Sequence, residues 1–494
     1  MKRWQSVGLG GAYLVLSCLG PAHAFRPVSK PPVRPPVVKP ASQPVAKLSG
    51  TEGGASNSTR CRSELSPDAL DKAATKAAVI ELFQEQTAPA DPMGQLKMVA
   101  QEAIKRSSAV GATRWLQDAS GFDYDQTEAG RYPTVTLNAG WFAGRTEVND
   151  VLVSSGKTGT IGITAGASLY DGGKLKSLIQ WRDDLRKASL QSVRSAKEAV
   201  VLEAISTVLE RNRFRTQAQV YQQHARKMAC LVEALESIVA EDRGRASELV
   251  QVRKNQAQAE LARDSAVAQS RQVELKLKRL LGEQFGTGES IAGAFNAVPD
   301  LGEVHRLLEQ SPEAMQLRLQ ADAQDDYSRS IKSGNGPQVN WSVGRSQTAT
   351  RHTDTAAWQA GISLNYVLFD ARAERSAIQA ALARAEASRA QYTDFIATRT
   401  ERISSVHDSA RTAFDRAKRY VDILRDSDLV RNYTFQQWSQ LGRRSLFDLM
   451  SAEGEHFNLR IAYVNSLFDG YQASAQLRSM GGGLAPWLAP EFDH

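Results

Sequence analysis

The chain has 494 residues, a net charge of +7 and 42% apolar residues, enough for several domains or one large architecture. Its charge argues against a nucleic-acid partner: Lys2, Arg3, Arg26, Lys30, Arg34, Lys39 and Lys47 all precede the first acid, and the remainder is close to neutral. Beyond the first 24 residues nothing offers the roughly 20 apolar residues of a membrane helix, so membrane insertion would call for a β-barrel.

Residues 1–24 read as an export signal. Lys2 and Arg3 precede an apolar stretch from Val7 to Leu19, and Ala22-His23-Ala24 is a small-x-small cleavage box. The mature chain then begins at Phe25. A lipoprotein site at Cys18 is the competing reading, with the bulky Leu16 against it. Residues 25–65 form a basic leader with seven prolines between Pro27 and Pro44. It reads as a disordered or polyproline-II spacer, either a solvated tether or a contact for an anionic surface. Cys61 and Cys230 survive cleavage. They could pair in an oxidising compartment, or Cys230 could simply pack within its helix.

Two repeats follow, 66–281 and 312–482, separated by an insertion at 282–311 and followed by a tail at 483–494. Each repeat is expected to hold a leading helix, a strand pair (133–170 and 337–369) and a long helical hairpin (172–281 and 371–480). The strands show period two. Val135, Leu137, Ala139 and Trp141 alternate with Thr134, Thr136, Asn138 and Gly140, and Trp358, Ala360, Ile362 and Leu364 alternate with Gln359, Gly361 and Ser363. Runs near ten residues suit a bilayer-crossing strand. Trp141, Phe142, Tyr170, Trp341 and Trp358 lie near strand ends, as membrane-interface aromatics would. A soluble sheet on a core is the other reading, but long thin helices would not cover such a sheet.

Glycine is absent over the 70 residues from Lys174 to Arg243 and the 80 from Ile362 to Leu441. Helix interiors exclude glycine and proline, so each run predicts a helix of about 70 residues, about 105 Å long. Each turns at a similar tip, Arg243-Gly244-Arg245-Ala246-Ser247 and Leu441-Gly442-Arg443-Arg444-Ser445. There glycine is expected to end one helix and serine to cap the next. Four strands do not close a barrel, and an open edge in lipid is prohibitive. The barrel is therefore expected to be shared between copies of the chain. No histidine forms a metal spacing, and no GxSxG, P-loop or dinucleotide motif occurs. The reading is of no enzyme and no cofactor. Asp183-Asp184 and Asp325-Asp326 read as solvated helix faces.

The export signal, Gly130–Leu137 (GRYPTVTL), the junctions LYDGG and LFDAR, the GxxS tips and the duplication together resemble the TolC-like outer-membrane efflux proteins over roughly residues 93–482. The resemblance implies an α+β membrane protein. In it, a homotrimer shares one 12-stranded transmembrane barrel, four strands per chain, continuous with a periplasmic α-helical coiled-coil tunnel. It implies an outer-membrane location, contact with outer-membrane lipid, and recruitment by a periplasmic adaptor and an inner-membrane ABC or RND transporter. The tip residues Arg243, Gly244, Ser247, Gly442 and Ser445 would meet the adaptor. Gly442, Arg444, Ser445 and Asp448 match the family's second tip, which implies a gating contact for Arg444 and an acidic ring for Asp448. A solvated first-turn pair remains the other reading for these two. Ser451 stands where a second acid would fall, and Leu249 and Val250 stand where the acid after the first tip would. The function implied is the exit duct of a tripartite exporter, read as type I protein secretion, with multidrug efflux as the alternative. A trimeric coiled-coil stalk or adhesin with a barrel anchor is the rival from another class.

Overall fold

The computed structural model describes residues 92–148, 151–283, 292–350, 353–439, 443–489 and 491. The export signal, the leader, Cys18, Cys61, Leu441 and Gly442 lie outside them. The first repeat holds α1 (Pro92–Arg106), α2 (Ser108–Glu128), β1 (Thr134–Val148), β2 (Val151–Tyr170), α3 (Lys174–Glu241) and α4 (Ala246–Leu281). After the short α5 (Leu301–Leu308), the second holds α6 (Pro312–Gly334), β3 (Gln338–Ala349), β4 (Asp354–Asn365), α7 (Ala373–Ser439) and α8 (Leu446–Met480), and α9 (Leu484–Leu488) closes the chain.

The four strands form one antiparallel sheet in the order β1-β2-β3-β4. Its register unites the apolar sets that the alternation predicts. Leu137 opposes Ile163, Ala165 opposes Val343, and Trp341 opposes both Ala167 and Ile362. The opposite face carries Thr, Ser, Gly and Asn. A register shift between Ser168 and Tyr170 sets Tyr170 opposite Val339. β4 ends at Asn365, short of the predicted Phe369, and Tyr366–Phe369 lead into the junction outside the ladder.

That junction explains how a strand feeds a very long helix. Asp171 accepts hydrogen bonds from Gly173 N (2.9 Å) and Leu175 N (2.6 Å). Asp370 accepts them from Arg372 N (3.0 Å) and Glu374 N (2.5 Å). Each aspartate satisfies N–H groups that the first helical turn leaves unpaired. The bend also needs left-handed backbone. Gly172 (φ 68°) and Gly173 (φ 88°) supply it in the first repeat, and a Cβ on Gly172 would lie 2.8 Å from the Ser333 carbonyl oxygen. The second repeat uses Ala371 (φ 54°) and Arg372 (φ 72°), which is strained for residues bearing a Cβ.

α3 has 68 residues and α7 has 67, against 36 and 35 for the returning arms α4 and α8. α2 and α6 run beside the upper parts of α3 and α7, where the return arms do not reach. α3 is the spine, packing against α4, α6, α2 and α8. Two apolar cores lie along it. The larger joins α1, α3, α4, α8 and α9 around Ile205, Leu209, Leu281 and Phe468, and a smaller one near the tips joins Met228, Leu235, Leu449 and Met450. The C-terminal segment is pinned to the larger core by Glu198, whose carboxylate accepts from Leu484 N (2.7 Å) and Ala485 N (2.9 Å). Cys230 is disulfide-bonded rather than merely packed in its helix.

Candidate functional site

Three places concentrate function-bearing side chains: the sheet face, the helix tips and a charged layer above the tips. The sheet face comes first. Leu137, Ile163, Trp141, Trp358 and Ile362 share one face and are exposed, Trp358 at 79%. An apolar area of this kind, uncovered by any helix among the described residues, is built to meet another apolar medium. Tyr170 and Trp341 lie near the helix end of the strands, and Trp341 is half-buried. Trp141 pairs with Gly159, 11 residues along β2 from Tyr170. That is about 36 Å of strand, or about 28 Å of height at a barrel strand's usual tilt, close to the ~25 Å apolar band of an outer-membrane barrel. Phe142 departs from the expected aromatic set. It directly follows Trp141 and so points to the polar face, where its ring lies over Gly140.

The tips differ from one another. At the first, a short 3-10 turn (Arg243–Arg245) precedes α4, and Asp242 caps it by accepting from Gly244 N at 2.9 Å. Arg243, Gly244 and Ser247 are exposed. Ser247 lies inside α4 rather than at its cap, so the expected serine cap is absent: the N-cap of α4 is Arg245, without a side-chain cap, and Asp242 caps only the 3-10 turn before it. Arg245 forms an ion pair with Glu248, the acid in the first turn of α4, at 2.8 Å. At the second tip the expected cap is present. Ser445 Oγ accepts from Asp448 N (3.2 Å) and Asp448 Oδ2 accepts from Ser445 N (3.1 Å), a reciprocal capping box. Arg444 Nε donates to Gln437 Oε1 at 3.1 Å, and Arg443 N donates to the Gln437 carbonyl. The turn is thereby tied back to the last turn of α7.

Above the second tip lies a charged layer that the sequence reading did not single out. Lys227 Nζ on α3 is 2.6 Å from Glu453 Oε1 on α8, and Arg431 on α7 lies 3.9 Å from the other carboxylate oxygen. Arg431 also pairs with Asp428 at 2.5 Å. Glu453 is 1% exposed. Burial pushes the Lys227 ammonium below its ordinary range, partly offset by Glu453. Burial pushes His224 down to about 4 and His456 down to about 2, so both are neutral. The signal available in sequence was charge at inward helical positions, Lys227, Arg431 and Glu453, and finding it required knowing which helix faces meet. The same ignorance affected the paired acids. Asp184 and Asp326, read as solvated, are both buried.

Among the described residues no helix is long and apolar enough to cross a membrane, and no cluster of His, Cys, Asp and Glu could hold a metal ion. A lipid-ready sheet continuous with a bundle of very long polar helices defines an outer-membrane channel with a periplasmic tunnel. The chain belongs to the outer membrane efflux protein family, which it matches over residues 99–283 and 304–483, one segment for each repeat. The family comprises outer-membrane conduits without enzymatic activity. Comparison with the curated proteins gives no match. Among solved structures, the chain is similar to CusC (15% identity, covering 79% of this chain and 92% of that one, TM-score 0.71). It is also similar to the outer-membrane channel OprN (17%, 80% and 91%, 0.71) and to VceC of Vibrio cholerae (16%, 79% and 97%, 0.69). At these identities the likeness concerns the fold, that of outer-membrane channels whose helices form a tunnel in the periplasm.

Proposed function

We propose that three copies of this chain close one 12-stranded barrel and one helical tunnel, forming the outer-membrane exit duct of a tripartite exporter. The observation that carries this reading is the open four-stranded sheet. Among the described residues β1 and β4 each pair on one side only, while the apolar face of the sheet is exposed. In lipid each unsatisfied backbone group costs several kcal/mol, so both edges need strands from neighbouring copies. The helices have the same open ends. α3 sits centrally, whereas α4 and α2 on one flank and α7 on the other expose apolar residues such as Leu261, Trp115 and Tyr433. Trp141, Trp341, Trp358 and Tyr170 anchor the barrel at the membrane interfaces.

In this duct the tips are the entrance. Arg243, Gly244, Ser247, Gly442 and Ser445 meet the periplasmic adaptor, which links the duct to an inner-membrane ABC or RND transporter. Three Asp448 carboxylates form a cation-selective ring, and Arg444 holds the closed turn through Gln437. The substrate class is protein, exported by type I secretion, supported by the poor lipoprotein box at Cys18 and the LYDGG junction. Small-molecule efflux is the second reading, favoured by the family's description as efflux proteins. Native mass measurement of detergent-extracted protein tests the assembly, with three copies expected and a stable folded monomer refuting it. Planar-bilayer conductance separates a duct from a stalk, which would pass no current. Deleting the gene and comparing the culture supernatant with drug susceptibility distinguishes the two substrate classes.

A further inference from the structure

The apolar face of the sheet carries two bases. The ladder sets Leu137, Ile163, Arg345 and Trp358 side by side in one row across the four strands, so Arg345 stands on the same face as its three apolar neighbours. Lys157 belongs to this face too, on β2 six residues before Ile163, about 20 Å along the strand. Both bases are exposed, and among the described residues neither forms an ion pair. One acid shares the described part of the face: Asp354, opposite Ala349 and four residues outward of Trp358. The two bases outnumber it.

The strand ends give the level of Arg345. Counted from the helix end of its own strand, Arg345 is the eighth residue of β3 from Gln338, Trp141 the eighth of β1 from Thr134, and Trp358 the eighth of β4 from Asn365. The three stand at about one height, that of the outer aromatic belt, because the helices mark the periplasmic side. A cation on the lipid face is costly within the hydrocarbon and is tolerated where it meets water or an anion. Immediately outward of Arg345 the face sinks into a shallow groove of about 630 Å³. Ala139, Gly159 and Ala349 give it a floor of small residues, and Ile161, Gln347 and Trp141 border it. The Trp141 ring lies 3.8 Å from where a Cβ on Gly159 would be. Arg345 stands at one end of the groove, two residues before Gln347, and Lys157 at the other, two residues outward of Gly159. Towards the helices the surface continues apolar through exposed Ile163, Val343 and Ile362.

We propose that this groove binds the headgroup of a phosphorylated glycolipid of the outer leaflet, one per chain. The inference rests on the reading of the sheet as part of a membrane barrel. Arg345 takes one phosphate, whose oxygens its planar fork matches. Lys157 takes a second phosphate from the far end as a point charge. The sugar between them lies on the small-residue floor beside Trp141. The acyl chains run towards the periplasm over Ile163, Val343 and Ile362. Two cations with a groove between them fit a headgroup that carries a phosphate at each end. A phospholipid, with one phosphate and no sugar pair, would use one cation and leave the groove unfilled.

The test mixes the full-length protein in detergent with diphosphoryl lipid A, monophosphoryl lipid A or phosphatidylglycerol and weighs the complexes by native mass spectrometry. Each trimer should carry up to three diphosphoryl lipid A molecules, held more tightly than the monophosphoryl form, with phosphatidylglycerol weakest. Arg345→Gln should weaken binding of diphosphoryl lipid A about tenfold. Combining it with Lys157→Gln should abolish the preference for the second phosphate. Lys176→Gln removes the same charge from an exposed position on α3 and should leave binding unchanged. Equal affinity of the parent for the three lipids would overturn the proposal, and so would an equal loss in Arg345→Gln and Lys176→Gln. The comparison of lipids on the parent needs no variant and stands even where a variant fails to assemble. The same spectra count chains. Trimers without the lipid preference would refute the groove and spare the barrel, whereas a stable folded monomer would refute the barrel itself.

Discussion

Asp448 offers two separable contributions, a charge and a cap, and a pair of substitutions divides them. Its Oδ2 accepts the Ser445 N–H at 3.1 Å, and its carboxylate stands in the first turn of α8, near the positive end of the helix dipole. Alanine removes both. Loss of the cap costs about 1 kcal/mol and loss of the dipole interaction about 0.5 kcal/mol per chain at this half-buried position. Asparagine keeps a side-chain oxygen in place for the Ser445 N–H and loses only the smaller part. The two variants should therefore differ by about 1 kcal/mol per chain, roughly a fivefold difference in opening of the first turn of α8. Hydrogen exchange over residues 445–450 reads that opening. In bilayer recordings both variants should lose cation preference and block by multivalent cations, because both lose the charge. The alanine variant alone should raise resting conductance. Equal exchange in the two variants would remove the cap from the account. Unchanged selectivity in asparagine would show that the carboxylate does not face the constriction.

Arg444→Ser should release the turn from Gln437 and raise resting conductance or antibiotic sensitivity, measured in bilayers and by growth. Glu453→Gln should leave Lys227 and Arg431 without their buried partner and cost about 3 kcal/mol, read as a lower Tm. Replacing Lys227 and Glu453 together by apolar residues should recover most of that loss. Ala371→Gly should raise Tm, by the equivalent of about 1 kcal/mol, because its backbone is left-handed at φ 54°. A lower Tm would show that the strain is absent. Epitope tags at Ser155, four residues into β2, and at Thr350, just past β3, should be reached by antibody on intact cells, because both lie towards the end of the sheet opposite the long helices; labelling only after permeabilisation would invert the topology.

The strands and the long helices were legible because their signals are local. Period two in Val135–Trp141 and the absence of glycine from Lys174 to Arg243 need no knowledge of partners. The second tip was legible for the same reason, since Ser445 and Asp448 form a cap within four residues. The first tip was not, because a 3-10 turn capped by Asp242 stands before α4 and carries the helix start past the point where Ser247 could cap it. Phe142 misled by composition: an aromatic beside Trp141 looks like part of a belt, yet adjacent residues on a strand face opposite ways. Asp184 with Asp326, and Lys227 with Glu453, lie 142 and 226 positions apart. Their meaning depends on which helix faces which, and helical periodicity alone does not specify that.

The open edges of the sheet have a further consequence, for inheritance and for folding in the cell. A single chain has no comfortable solvent: water penalises its apolar face and lipid penalises its two bare edges. Insertion and association must then be one event, and the fraction of intact ducts depends on the third power of the fraction of chains that are competent. A chain with one spoiled edge, such as Ala360→Pro on β4, whose N–H faces away from its partner Val343, would enter the ring and ruin it for its neighbours. Were half the chains in a cell of that kind, only about one ring in eight would be free of them under random mixing of three copies. Such an allele would be dominant, although the residue it alters touches neither the gate nor any cargo.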